Sequence, residues 1–134
     1  KQITLGSTGI QTPQNALVTA GSACIHGSGG QILQRAYEGG MTFFDTARAY
    51  SDSEEKMGEA FGHMRNKIYI AQTAATTPDE FWRQLETSLH LLRTDYLDLY
   101  QFTVSTSVNR PEDGTGMYEC MTESKEQGND PPHR

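Results

Sequence analysis

Asp45 and Tyr50 are the side chains of this sequence best placed to do chemistry. An apolar pair, Phe43-Phe44, ends in the carboxyl of Asp45, and a phenol follows five residues later. The carboxylate can hold a cation or take a proton, and the phenol can give one. An isolated phenol has a pKa of about 10 and is a poor acid at neutral pH, so it needs a neighbouring charge to work as an acid–base catalyst. Glu54 and Glu55 lie close in sequence and offer a second carboxyl. Glycoside hydrolysis requires two such groups at a defined separation, which spacing alone does not supply.

The remaining reactive groups have plainer readings. Gly27-Ser28-Gly29-Gly30 precedes a helix and could cradle a phosphate, but the same composition suits a strand–helix connection, which is the reading preferred. No Rossmann fingerprint with its acidic partner is present. His26, His63, His90 and His133 share no ligand spacing with each other or with Cys24 and Cys120, so no metal site is expected. His63 and His90 are expected on helix surfaces, and Tyr96 and Tyr100 in packing. Asp98 is read as a structural hydrogen-bonding residue. Glu54-Glu55-Lys56 is read as a solvated helix start whose acids complement the helix dipole.

These residues must be held by an alternation of short strands and helices. Turn residues Gly6, Gly9 and Pro13 predict a β-hairpin over Lys1 to Gln14. Ala16 to Ala20 reads as a buried strand. A helix from Gln31 to Glu38 has Ile32, Leu33, Ala36 and Tyr37 as its apolar face, and Gly39-Gly40 stops it. Strand two is Thr42 to Asp45. The next helix starts at a capping box of Asp52 and Glu55, with Met57, Ala60, Phe61 and Met64 facing in. Strand three is Lys67 to Ala71. Thr77, Pro78 and Glu80 start the third helix, whose stripe is Phe81, Leu85, Leu89 and Leu92 with Trp82 beside it. Strand four is Tyr96 to Phe102. A fourth helix covers Gly116 to Gln127 with Met117, Tyr118 and Met121 inward, before an irregular tail over 128–134. Four strand–helix repeats predict parallel strands with crossover helices in one domain, 1–127.

Length and charge narrow the classes. The chain has 134 residues, whereas a complete eight-stranded barrel takes about 250. The net charge of -6, with no Lys/Arg cluster, argues against nucleic acid. No apolar run approaches the roughly 20 residues of a membrane span. Lys1 to Leu5 lacks the apolar core of a signal peptide. Two cysteines far apart suit free thiols in a cytoplasmic protein.

From Leu5 to Gln127 the chain resembles the N-terminal half of an aldo-keto reductase. The resemblance rests on Leu5-Gly6-Ser7-Thr8-Gly9, Ala36-Tyr37-Glu38-Gly39-Gly40, Phe44-Asp45-Thr46-Ala47, and Ser88-Leu89 through Asp95-Tyr96-Leu97-Asp98-Leu99-Tyr100-Gln101, in that order and spacing. It implies an α/β fold: a partial, half TIM barrel of four βα units preceded by a β-hairpin. It also implies that Asp45 and Tyr50 are two members of a catalytic tetrad in which the tyrosine protonates a carbonyl. The tetrad lysine should end strand three, where Gln72 is the nearest occupant, and Thr103 stands where the histidine should follow strand four. Gln72 can donate a hydrogen bond but carries no charge.

The family holds its dinucleotide mainly with its second half. No cofactor is therefore expected for this chain, and NADP only if a partner chain completes the site. The expected function is that of a degenerate oxidoreductase of aldehydes or ketones. The alternatives are a glycosidase or esterase on the reductase scaffold, and a non-catalytic fragment that self-associates. Open sheet edges predict a homodimer, and a small-molecule substrate remains compatible with every catalytic reading.

Overall fold

A computed structural model of the chain describes residues 1–18, 29–50, 52–74, 77–102 and 110–126. Strands β1 (Gln2–Thr4) and β2 (Gln11–Pro13) pair antiparallel as a hairpin. The main sheet contains β3 (Leu17–Val18), β4 (Phe43–Ala47), β5 (Tyr69–Ala74) and β6 (Leu99–Phe102), all parallel and adjacent in that order. Helices α1 (Gly29–Glu38), α2 (Ser53–Phe61) and α3 (Pro78–Leu92) connect successive strands, and α4 (Met117–Glu126) follows β6. The fold is α/β, as the alternation predicts.

Register divides the strand side chains between two faces. Phe44, Ile70 and Tyr100 point to the helices and pack with Leu33, Met57, Phe61, Phe81, Leu85 and Met117. Phe44 and Phe61 meet with ring centroids 4.7 Å apart, and Phe81 and Tyr100 at 5.4 Å. Each large apolar side chain so buried contributes about 1.5–3 kcal/mol. Phe43, Asp45, Tyr69, Ala71, Thr73, Leu99 and Gln101 take the alternate positions, on the face turned away from this core.

Local signals explain the element ends. Gly40 adopts φ of 105°, and the amides of Gly39, Gly40 and Met41 bond back to Arg35, Tyr37 and Ala36, closing α1. At the start of α3 the Thr77 hydroxyl accepts the Glu80 amide at 3.4 Å, and Pro78 takes the first turn. Helices α2 and α3 approach closely at Gly58, where a Cβ would lie 2.0 Å from the Leu91 carbonyl oxygen. Only glycine fits there.

Several expectations change. Asp52 caps α2 in position but makes no side-chain cap bond, so no capping box forms. Ile32 is 44% and Tyr118 41% exposed, so neither belongs to the inward face assigned to it. Strand β6 begins at Leu99, because Leu97 already sinks into the core and the Asp98 amide bonds Ile70 outside the ladder. Residues 19–28 and the tail over 127–134 lie outside the described residues.

Candidate active site

Asp45 lies in the middle of β4, in register with Val18 of β3 and Ala71 of β5. It is half-buried, and that burial pushes its carboxyl pKa above the ordinary value. Tyr50 sits past the C-terminal end of β4, also half-buried. Its amide donates to the Ala47 carbonyl at 3.0 Å, and its carbonyl accepts from the Ser53 amide at 2.8 Å. The loop is thus a tight turn that returns the chain to α2. Tyr50 falls past the strand end, where parallel α/β enzymes build their sites, whereas Asp45 lies two residues inside it, because β4 runs on to Ala47 instead of ending at Asp45.

Position 72 departs from the expectation. Gln72 is fully buried and points to the helices, not to the face of Asp45. Its Nε2 donates to Glu54 Oε2 and to Ser88 Oγ, the latter at 3.1 Å, and its Oε1 accepts the Thr73 amide at 2.8 Å. The physical reason is the alternation of a strand. Counting along β5 from Ala71, which is paired with Asp45, the next residue on that face is Thr73. Thr73 is in register with Ala47 and Gln101, so two polar side chains, Thr73 and Gln101, lie one step closer to the strand ends than Asp45. Thr103 lies outside the described residues.

Glu54 also corrects an expectation. It is 2% exposed, not solvated. Its carboxylate takes a salt bridge from Arg48 and the Gln72 amide, on the helix side of the sheet. Glu55 is exposed. One residue back, Ser53 and Thr46 share a buried hydroxyl–hydroxyl bond of 2.7 Å. Sequence reasoning missed this network because an acid in the first helical turn is ordinarily solvated. The available signal was register: Thr46 and Gln72 are polar at positions that must face helices.

A sequence model of the Aldo/keto reductase family matches residues 17–128. The chain belongs to the aldo/keto reductase family. Among curated aldo-keto reductases, it is 35% identical over 79 residues to aldo-keto reductase str7 of Strobilurus tenacellus, covering 52% of this chain and 24% of that protein. It is 32% identical over 98 residues to methylglyoxal reductase YeaE of Escherichia coli, covering 69% of this chain and 34% of that protein. A solved aldo-keto reductase of Bacillus halodurans superposes with a TM-score of 0.83 at 23% identity, covering 97% of this chain and 48% of that structure. The chain spans a quarter to a third of these curated relatives and about half of that aldo-keto reductase fold.

The family implies a nicotinamide dinucleotide. The described residues near the ends of β4 to β6 do not fit its phosphates. Arg48 is committed to Glu54, and Arg110 sits on an exposed turn where its amide bonds Asp113. Residues 27 and 28 of the glycine-rich loop lie outside the described residues. Among the described residues no cluster of three His, Cys, Asp or Glu could hold a metal, and no helix is long and apolar enough to cross a membrane. His63 and His90 are exposed, and Asp98 is a buried structural acceptor.

Proposed function

We propose that this chain is half of an aldo-keto reductase barrel and presents a site for a small aldehyde or ketone. Tyr50 is its proton donor and Asp45 its carboxyl. The observation that supports this is that one segment carries both residues, Asp45 within β4 and Tyr50 in the turn just past its C-terminal end, with the Tyr50 backbone bonded to Ala47 and Ser53. Thr73 stands on the Asp45 face where the family resemblance implies a lysine. A hydroxyl supplies no charge to make the phenol a better acid, so turnover is expected to be slow. NADP would be held only where a second chain completes the site.

We also propose that the chain self-associates as a two-fold dimer. Strands β3 and β6 are the sheet edges, and Val18 on β3 is 53% exposed. Edge strands with free ladder positions template pairing with another chain. Ile68, Ile70 and Leu97 are buried in the core, so Val18, Phe43 and Leu99 are the apolar side chains left to meet a partner.

Turnover of small aldehydes with NADPH tests the catalytic proposal, run beside chromogenic glycosides and esters. Slow NADPH oxidation is expected, falling about 100-fold or more in Asp45→Asn and in Tyr50→Phe. Unchanged oxidation in both variants overturns the assignment. Cleavage of a glycoside or ester without NADPH oxidation would instead establish a hydrolase. Titration followed by Trp82 fluorescence is expected to show NADPH binding weakly or not at all, and saturable micromolar binding would contradict that expectation.

A further inference from the structure

Glu54 lies outside the face that carries Asp45, yet it is tied to the segment that leads to Tyr50 and to the end of β5. Its Oε1 pairs with Arg48, two residues before Tyr50, and its Oε2 accepts Gln72 Nε2, one residue before Thr73. Gln72 in turn holds the Thr73 amide at 2.8 Å and Ser88 Oγ of α3 at 3.1 Å. The preceding residue, Ser53, accepts no slack either: its amide donates to the Tyr50 carbonyl at 2.8 Å and its hydroxyl meets Thr46 at 2.7 Å. The β4–α2 turn is therefore held at both ends, to β4 by Thr46 and to β5 and α3 through Glu54.

A helix start could be made far more simply. A carboxylate that is 2% exposed must give up its water, and that is tolerated only when charge and hydrogen bonds replace it. Arg48 supplies the charge and Gln72 the hydrogen bond. Arg48 remains about one-third exposed, at the surface end of the network. Such a network fixes one geometry because every alternative strands a charge. An apolar residue at 54 would hold α2 against the sheet but would leave Arg48 and the turn without an anchor.

We infer that Glu54 is a positioning residue that fixes Tyr50 relative to Thr73 and Asp45. This rests on the assignment of Tyr50 as proton donor under the proposed function. Glu54 does not touch a substrate. It acts through Arg48 on the turn and through Gln72 on the end of β5.

Residue-resolved amide hydrogen exchange tests this without any turnover. In Glu54→Gln and Arg48→Met, the amides of Tyr50 and Ser53 are expected to exchange about tenfold faster or more, while those of Ile70 and Phe61 keep their rates. Arg48→Lys keeps the charge and is expected to restore most of the protection. Where Glu54→Gln fails to fold, Arg48→Met decides, since Arg48 lies at the surface end. Unchanged exchange at Tyr50 overturns the inference. An equal rise at all amides in Arg48→Met also overturns it, because the network would then only stabilise the fold. If the wild type turns over aldehydes, kcat is expected to fall in Glu54→Gln with KM unchanged. If it does not, the proposed function fails and the exchange result still stands.

Discussion

Arg65 Nη2 lies 2.7 Å from Asp98 Oδ2, and the same carboxylate oxygen accepts the Ile70 amide at 3.0 Å. Every guanidinium nitrogen of Arg65 is used: Nε on Thr94 Oγ1, Nη1 on the Ile68 carbonyl, and Nη2 also on the Tyr96 carbonyl. Its plane stacks over the Tyr96 ring at 4.1 Å. One side chain thus ties the entry of β5 to the α3–β6 connection. Arg65→Met leaves a buried carboxylate without its cation and is expected to cost about 3–5 kcal/mol. Urea unfolding measures it, and a loss below about 1 kcal/mol would show that the pair is dispensable.

Asp45 gives stability a defined pH dependence. Burial raises its carboxyl pKa in the folded chain above the ordinary 3.8. The folded form therefore binds the proton more tightly than the unfolded form. This contribution is complete below the ordinary value and is lost as pH rises from there through the raised value. Asp45→Asn removes the loss. Its Tm relative to wild type is expected to climb between about pH 3 and about pH 7, and a constant difference would refute the assignment.

The alternation of β5 predicts opposite fates for lysine at two adjacent positions. Thr73→Lys places an ammonium on the face of Asp45 and is expected to draw the Asp45 pKa down, flattening the pH dependence just described. Gln72→Lys places it where Arg48 already neutralises Glu54, and breaks the bonds to Ser88 and the Thr73 amide. That variant is expected to lose about 1 kcal/mol or more. Carboxyl titration by NMR and thermal melts of both variants decide it, and equal behaviour would contradict the register.

Self-association is expected to respond to the β3 edge. Sedimentation equilibrium should report a dimer at micromolar concentration. Val18→Lys should weaken it by about tenfold or more, since edge lysines oppose strand pairing. A wild-type monomer that unfolds cooperatively would sink the dimer.

The order of elements was legible because each helix has its own periodic stripe and stop. Thr77-Pro78 and Gly39-Gly40 act locally, so their roles follow from residue type. Asp45 and Tyr50 were legible as a motif, and the family model covers them. Facing direction was harder to read. Gln72 and Thr73 are both polar, and only the pairing of Ala71 with Asp45 says which shares its face. Glu54 looked solvated because burial of a helix-start acid depends on Arg48 and on Gln72, 18 residues away. The Arg65 pair leaves no local sequence signal for the same reason: its partner Asp98 is 33 residues distant. Ile32 and Tyr118 were assigned inward by type, but each lies on the rim of its helix stripe.

The neighbours Gln72 and Thr73 would answer to substitution in unlike ways. A change at 72 disturbs three bonds that hold two helices and a strand, so it is felt as misfolding whatever the chain does. A change of side chain at 73 falls on the face of Asp45 and is felt through that carboxyl and through what binds there. A lineage can therefore gain, lose or exchange its chemistry at 73 by single steps while the scaffold is inherited intact.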